Sequence, residues 1–366
     1  MTKSSSIYKG ELLEFLFLLK ERTPDFVKDM ESQQVMGKYR FSYSGDLIPT
    51  SRHWGLGQST FAARILYIFD MLTPQKASHI SNYIHSFEDR KGAIYDPEIA
   101  RKSLLRRIAI GVYKRDTSYL FNRINKRAET RQGIAALINL SSFPENFYSD
   151  LKMDSVNIKN YVNSLDWSVP WRAGSHFNHQ MFFLRFDSSV DEVQKNIILE
   201  LFLDGLRQYE QVEGFYEEGA LVRPQIMVGG LMKVLMALSL FDKAGEFVKE
   251  SFVDLCLDKM ISCDACENFN TIYILYQCSK VMDYRKDEIE LFLLETAIKW
   301  KEFYFSDYGG FSFYKNKSGY SYYDATISKG LNEPDLHGTA MFVWGFLIIA
   351  KALGLDDELG LREPVL

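Results

Sequence analysis

Three of the six histidines stand at or just before the start of a strongly apolar, helix-like segment. They are His53, His176 and His337, and His179 follows His176 after one helical turn. The start of a helix leaves backbone N–H groups unpaired and carries the positive end of the helix dipole, so polar ligands bind there. This placement predicts a shared acid–base cleft. A single histidine at such a position also serves as a cap or turn residue, and that alternative stays open.

The densest polar cluster before any apolar segment spans residues 333–339. Asp335 suits the cap of the following helix, whereas His337 lies inside it, where capping does not require it. A carboxylate beside an imidazole is a workable acid–base pair, and the tyrosines just upstream supply a phenol. The predicted catalytic residues are His53, His176, His337, Glu333, Asp335 and Tyr322. In the alternative interpretation, the two carboxylates only satisfy helix N–H groups.

Arginine and aromatic residues flank the same positions. An arginine near the start of several apolar helices would bind a carboxylate or phosphate group, because its planar set of donors matches those groups. Tryptophan rings beside acid–base groups suit the C–H faces of a sugar, a prenyl chain or simply the core. The predicted ligand-binding residues are Arg52, Trp54, Trp171, Arg172, His179, Arg223 and Tyr320.

Composition places the chain among globular proteins. Its 366 residues are 46% hydrophobic, which is ample for a large core. The net charge of −5 gives no reason to expect a nucleic-acid partner. Residues 1–9 are polar, without the apolar run of a signal peptide, and the longest apolar run, residues 339–352, is too short to span a bilayer. We therefore expect a cytoplasmic protein without a membrane span.

All four cysteines fall between residues 256 and 278. Four cysteines in a chain of this length do not suggest a disulfide framework. Cys263 and Cys266 form one CxxC pair, which is a weak metal motif because a structural zinc site needs four well-placed ligands. Buried free thiols are the simpler interpretation, and we expect no metal or other cofactor.

Helical periodicity dominates the chain, and a unit recurs in which an amphipathic helix, a turn rich in glycine and aromatics, and a more apolar helix follow one another. The apolar helices begin near Gly55, Arg131, Ser175, Gln225, Glu267 and Leu336. Because a helix that is apolar on all sides must be buried on all sides, two concentric layers would satisfy both kinds of helix. We predict an all-α protein with a single domain, residues 1–366, folded as an α/α toroid of about six hairpins with short β-hairpin turns. An open superhelix is the alternative.

The turn DYGGF at residues 307–311, followed by an apolar helix with a polar first turn, resembles the repeats of the terpenoid cyclase and protein prenyltransferase superfamily. The likeness is one of pattern over most of the chain and approaches a motif only near the C-terminal end. Sugar-processing enzymes of the six-hairpin type, such as unsaturated glucuronyl hydrolases and N-acylglucosamine epimerases, share this architecture. The fold alone therefore does not decide the function.

The resemblance to protein prenyltransferases implies a zinc site as an alternative. That family holds zinc with an Asp-x-Cys at one inner helix and a histidine at the start of the next, and Asp264, Cys266 and His337 match this pattern. The basic residues that grip the diphosphate in that family are not evident, apart from Lys259. The acidic DxDD and DDxxD motifs of terpenoid cyclases are also missing.

The arginine, tryptophan and histidine residues favour an enzyme that acts on an anionic sugar or oligosaccharide at the rim of the inner helices, as a lyase, hydrolase or epimerase. An isoprenoid-handling, prenyltransferase-like zinc enzyme is the first alternative. A non-catalytic binding or scaffold toroid is the second. The expected partner is a small-molecule or oligosaccharide substrate, and the sequence leaves the reaction and the oligomeric state open.

Overall fold

A computed structural model describes residues 3–48, 54–98, 104–114, 123–258, 264–323 and 325–365. About 60% of the described residues are helical and the strands among them are few and short, which confirms the predicted all-α class. The chain divides into two compact units, Met1–Asn146 with Leu294–Val365, and Phe147–Leu293. The single domain and the closed ring stay predictions.

The described helices are α1 Lys3–Met30, α2 Leu56–Ile68, α3 Pro74–His85, α4 Leu104–Lys114, α5 Arg123–Asn139, α6 Ser155–Ser164, α7 Pro170–Phe186, α8 Glu192–Arg207, α9 Pro224–Ser239, α10 Glu250–Asp258, α11 Ala265–Ser279, α12 Lys286–Trp300, α13 Leu336–Leu353 and α14 Asp356–Leu359. Two-residue strands form antiparallel pairs, namely β1 Glu210–Gln211 with β2 Gly214–Phe215, β3 Tyr304–Phe305 with β4 Gly310–Phe311, and β5 Ser321–Tyr322 with β6 Ala325–Thr326.

The first unit is built around three buried helices, with α2 packed between α5 and α13. Every residue of α2 except Tyr67 is buried. Helix α13 ends at Gly354, whose left-handed backbone (φ +68°) terminates the helix. Among the described residues, α13 is the one helix with the length and composition to cross a membrane. Since 78% of it is buried inside the protein, it also has the burial of an ordinary core helix.

The second unit has a matching row, with α9 packed between α7 and α11. Glycine brings the backbones of α7 and α9 together. A Cβ atom added at Gly174 would lie 2.7 Å from the carbonyl oxygen of Gly230, and one added at Gly230 would lie 2.6 Å from the carbonyl carbon of Pro170. No side chain larger than a hydrogen fits at this crossing.

The apolar helices predicted from the sequence are present as α2, α5, α7, α9, α11 and α13. Two of them begin earlier than predicted. Helix α5 begins at Arg123, and its first turns carry charged residues that apolar periodicity does not reveal. Helix α7 begins at Pro170, which suits the first helical turn because proline has no N–H to leave unpaired. Arg131 and His176 therefore lie inside their helices and not at the start.

The β-hairpin predicted around residues 316–319 is present as a tight turn. Tyr314 and Lys317 exchange backbone hydrogen bonds of 3.0 and 3.1 Å across Asn316, which has a left-handed backbone (φ +55°). The regular strand pairs lie on either side of this turn, at β3–β4 and β5–β6.

Candidate active site

A cavity of about 310 Å³ lies in the first unit, where the start of α13 meets α5 and the loop that follows β4. Its lining residues are Gln132, Phe313, Tyr314, Gly319, Tyr320, Ser321, Tyr322, Tyr323 and His337. The wall is mainly aromatic, with one imidazole, one carboxamide and several hydroxyl groups. Such a wall is the usual composition of a small-molecule site.

Asp335 builds the start of α13. Its Oδ1 accepts a hydrogen bond from the N–H of Gly338 (2.8 Å), and its Oδ2 accepts from Phe313 (2.8 Å) and Gly319 (3.0 Å). Burial raises the pKa of Asp335 to about 7, while these N–H groups act to lower it. The carboxyl group thus caps the helix and fixes the loop around the cavity.

Gly338 allows this loop to lie directly on the helix. A Cβ atom at this position would lie 2.4 Å from the backbone nitrogen of Phe313, so a larger residue would displace the loop. Thr339 holds the same segment, since its Oγ1 accepts a hydrogen bond from the N–H of Phe311 at 2.9 Å. This packing brings the ring of Phe313 against that of His337, with centroids 4.7 Å apart.

His337 lies half-buried on the cavity wall beside two aromatic rings. Phe61 of α2 stacks on it with the ring centroids 4.6 Å apart and the planes 6° apart. Burial lowers the pKa of His337 to about 3, and the positive charge of Arg64 lowers it further. The imidazole is therefore neutral at neutral pH, and it makes no hydrogen bond among the described residues.

Tyr322 stands beside His337, with the ring centroids 6.3 Å apart. Its hydroxyl donates a hydrogen bond to Oε1 of Gln132 at 3.1 Å. Its ring rests on the backbone of α2, where a Cβ atom on Gly57 would come within 2.9 Å of it. Burial, together with the neighbouring Tyr323, raises the pKa of Tyr322 well above its usual range. The phenol therefore stays protonated beside a neutral imidazole.

Tyr323 continues the wall with a strained backbone. Its φ of +43° lies in the left-handed region, which a residue with a side chain rarely adopts. Such a conformation costs about 1 kcal/mol or more and is found preferentially at functional sites.

Two charged side chains that sequence reasoning missed lie close to these residues. Arg64 is 8% exposed and stacks on Trp344, with its Cζ 4.8 Å from the ring centroid. Glu129 is 2% exposed, and its Oε2 accepts a hydrogen bond from the N–H of Asp96 at 2.9 Å. Burial and the charge of Asp96 raise the pKa of Glu129 well above its usual range. For Arg64 a signal existed, namely a lone charge within an otherwise apolar helix.

Glu333, predicted to be catalytic, connects two loops. Its Oε1 accepts a hydrogen bond from the hydroxyl of Ser42 at 2.9 Å, and its Oε2 accepts one from the N–H of Ser44 at 2.9 Å. The hydroxyl of Ser44 also donates to Oε1. Glu333 and Asp335 both hold loops and neither lines the cavity, so among the described residues predicted to be catalytic, His337 and Tyr322 are the ones that line it.

The ligand-binding predictions in the first unit have different positions. Tyr320 lines the cavity and is 51% exposed. Trp54 is 1% exposed, so it is a core residue without a free ring face for a sugar. Arg52 and His53 lie outside the described residues.

The remaining predicted residues lie in the second unit. Trp171 is 48% exposed and Arg172 follows it in the first turn of α7. His176 and His179 are 8% and 7% exposed, and their ring centroids lie 6.2 Å apart. Arg223 directly precedes α9 and is exposed. Whether His176 and His337 share one cleft stays a prediction.

The zinc alternative stays a prediction, and two of its three residues lie at the start of α11. Asp264 caps α11, because its Oδ1 accepts a hydrogen bond from the N–H of Glu267 at 2.9 Å. Burial raises the pKa of the Cys266 thiol to about 12. In the part of the chain that the structure describes, no three His, Cys, Asp or Glu side chains are grouped so that they could hold a metal ion.

Comparisons of the chain with family models, with curated proteins and with solved structures found no match.

Proposed function

We propose that the protein is an enzyme that acts on an anionic sugar or oligosaccharide, and that the cavity of the first unit is its active site. The observation that carries this proposal is the pairing of His337 and Tyr322 on one aromatic wall, with ring centroids 6.3 Å apart. Aromatic rings pack against the C–H faces of a sugar, while the polar groups bind its hydroxyls. A volume of about 310 Å³ lies at the small end of ligand sites, which favours a single sugar residue as the occupant.

The two side chains would divide the proton transfers between them. His337, neutral in the free protein, would accept a proton from the substrate. Tyr322, protonated and oriented by Gln132, would donate its hydroxyl proton to the substrate oxygen that gains negative charge. Lyases, hydrolases and epimerases all move protons to or from the substrate, so the proposal covers these reactions as one class.

Binding without turnover is the second candidate, and one observation favours it. An imidazole with a pKa of about 3 is a weak base at neutral pH. Catalysis therefore requires that the bound substrate raise this pKa. A negative charge near Arg64 would do so, because it would offset the positive charge that lowers the pKa of His337.

The test is incubation of the protein with a panel of uronic-acid-containing oligosaccharides, followed by mass spectrometry of the products. We expect one member of the panel to be converted, and His337→Ala and Tyr322→Phe each to lower turnover by about 10²- to 10⁴-fold. His79→Ala, which changes a histidine of α3 outside the cavity lining, is the matched control and should keep full turnover. Binding without conversion would favour the second candidate, and a panel that does not bind at all would reject both.

The predicted α/α toroid, a closed ring of about six hairpins, belongs to the same proposal. Each unit contributes three of the six apolar helices, with one packed between the other two, and this supports a ring built from repeated hairpins. An experimental structure with an open superhelix would reject it.

A further inference from the structure

A second cavity of the first unit has a volume of about 600 Å³ and is lined by residues of α3, of the end of α5 and by Arg362. It shares no lining residue with the cavity of His337. Serine and asparagine side chains form most of its wall, and Ser142 is one of them. This volume lies within the usual range of small-molecule sites, and the polar wall suits a ligand with polar groups.

Ser142 is hydrogen-bonded to a histidine that in turn contacts a carboxylate. The Oγ of Ser142 and the Nε2 of His85 are 3.1 Å apart, and the Nδ1 of His85 lies 2.9 Å from Oε2 of Glu88. Because a carboxylate oxygen accepts hydrogen bonds, Nδ1 is the ring nitrogen that carries the proton. In the neutral imidazole Nε2 is then an acceptor, and the hydroxyl of Ser142 donates to it. Hydroxyl, imidazole and carboxylate in this order are the arrangement that activates a serine as a nucleophile.

The backbone holds both ends of this arrangement. After α5 the chain turns at Ser141, which has a left-handed backbone (φ +56°), and the N–H of Ser142 donates to the carbonyl of Leu137 at 2.8 Å. This is a common way to end a helix, and it fixes the backbone of Ser142. The side chain of Glu88 is 6% exposed, and its Oε1 accepts a hydrogen bond from the N–H of Asn146 at 3.2 Å. The carboxylate is thus held from one side while it orients the imidazole from the other.

Two carboxamides on the wall of this cavity can donate hydrogen bonds to a ligand. Asn139 is 6% exposed, and its Oδ1 accepts a hydrogen bond from the N–H of Val365 at 2.8 Å, which leaves its Nδ2 without a partner among the described residues. Asn82 lies one helical turn before His85 on α3, and its side chain makes no hydrogen bond in the part of the chain that the structure describes. Such donors stabilise the negative oxygen that forms when a nucleophile attacks a carbonyl group.

We infer that Ser142 and His85, positioned by Glu88, form a second catalytic site that hydrolyses a small, polar carboxylic ester. An ester is the favoured substrate because an alcohol leaves more readily than an amine, and the hydroxyl and carboxamide groups of the wall match a polar molecule. The inference goes beyond the proposed function and does not depend on it, since the two cavities are lined by different residues.

The reaction follows from the order of the three groups. The Oγ of Ser142 bonds to the carbonyl carbon of the ester while its proton passes to Nε2 of His85. The bond from that carbon to the alcohol oxygen then breaks, and the alcohol leaves with the proton held by His85. Water next attacks the acyl group on Ser142 and gives one proton to His85, which returns it to Oγ as the acid departs. One ester and one water thus become one acid and one alcohol.

The first experiment asks whether Ser142 is an activated nucleophile. The full chain is treated with a biotinylated fluorophosphonate, which reacts with activated serines, and the labelled peptide is identified by mass spectrometry. We expect one label, on Ser142, in the folded protein and none after unfolding in urea. His85→Gln should slow the labelling by at least about 100-fold. His79→Gln is the matched control, because His79 lies on the same helix outside the cavity lining, and it should keep the wild-type rate.

The wild-type protein alone is sufficient to decide this experiment, so the result does not depend on whether a variant folds. A wild-type chain that takes up no label would overturn the inference. Labels spread at similar rates over several serines would also overturn it, because they would show that His85 does not activate Ser142 above the others.

The second experiment measures hydrolysis of p-nitrophenyl acetate by absorbance, with the melting temperature of each variant measured in parallel. Ser142→Ala should lower kcat/KM by about 10²- to 10⁴-fold. Glu88→Gln should lower kcat by about tenfold or more and leave KM within about twofold, because glutamine can donate to Nδ1 and so favours the wrong tautomer of His85. If Ser142→Ala melts at a lower temperature but hydrolyses the ester at the wild-type rate, the hydrogen bond only joins α3 to the loop after α5, and the inference is wrong.

Discussion

Each unit packs one buried helix between two others, but the two units fill the space between these helices differently. In the second unit, Gly174 and Gly230 bring α7 and α9 into backbone contact. In the first unit, α2 and α13 meet through stacked side chains, with Phe61 on His337 and Arg64 on Trp344. Backbone contact leaves no room for a ligand at the α7–α9 crossing, whereas the first unit has its cavity at the start of α13, beside α5 and the loop after β4. A row of three helices thus contains a tight crossing in one unit and lies beside a candidate active site in the other.

The loss of stability on removal of a helix cap should be the largest difference between the two units. Asp335→Ala removes the acceptor of three buried N–H groups at the start of α13, and we expect it to lower the free energy of unfolding by about 3–4 kcal/mol. Asp264→Ala is the matched change at α11, where the side chain is half-buried and accepts one capping hydrogen bond, and it should lower the free energy by about 1 kcal/mol. Urea unfolding of both variants measures the difference. Equal losses would show that the loop around the cavity does not depend on Asp335.

The close contact of α7 and α9 at Gly230 should be the feature next most sensitive to substitution. In Gly230→Ala the new Cβ atom would lie 2.6 Å from the backbone of Pro170, which cannot move without shifting α7, so we expect a loss of about 2–3 kcal/mol. Gly10→Ala is the control, because a Cβ atom there meets nothing within 4 Å, and alanine in a helix should stabilise by about 1 kcal/mol. Thermal unfolding followed by circular dichroism compares them. If Gly230→Ala is as stable as wild type, the two helices are not in close backbone contact.

Acid sensitivity should arise in part from the cavity of the first unit. The pKa of His337 is about 3 in the folded protein and near 6.5 in the unfolded chain, so the unfolded state binds more protons between these values. The free energy of unfolding is therefore unaffected by His337 above pH 6.5. It decreases as the pH falls below that value, because protons then bind to the unfolded chain. Between pH 7 and 4.5 the loss should be about 2 kcal/mol, after allowance for its partial exposure.

The measurement is urea unfolding of wild type and His337→Phe at both pH values. Asp335 acts in the opposite direction, since its raised pKa of about 7 makes stability increase as the pH falls towards 4. The difference between the two proteins therefore isolates His337. We expect the variant to lose about 2 kcal/mol less than wild type, and an identical pH dependence would show that the imidazole is not shielded from water.

Much of the helical framework was predictable because its signals are local. A helix with apolar side chains on every face must be buried on every side, and this rule located all six core helices. The cap at Asp335 was equally visible from its place before an apolar run. The starts of α5 and α7 were missed, because the first is charged and the second begins with Pro170 and a polar turn.

The sequence by itself determined which helices are buried and that His337 stands at the start of one of them. Only the tertiary structure decided what surrounds that imidazole. Phe61, Gln132 and Tyr322 come from three segments far apart in the chain, and no local pattern relates them. The stacking of Arg64 on Trp344 is likewise decided by the fold, because the two residues lie in helices far apart in the chain and sequence spacing does not reveal that they meet.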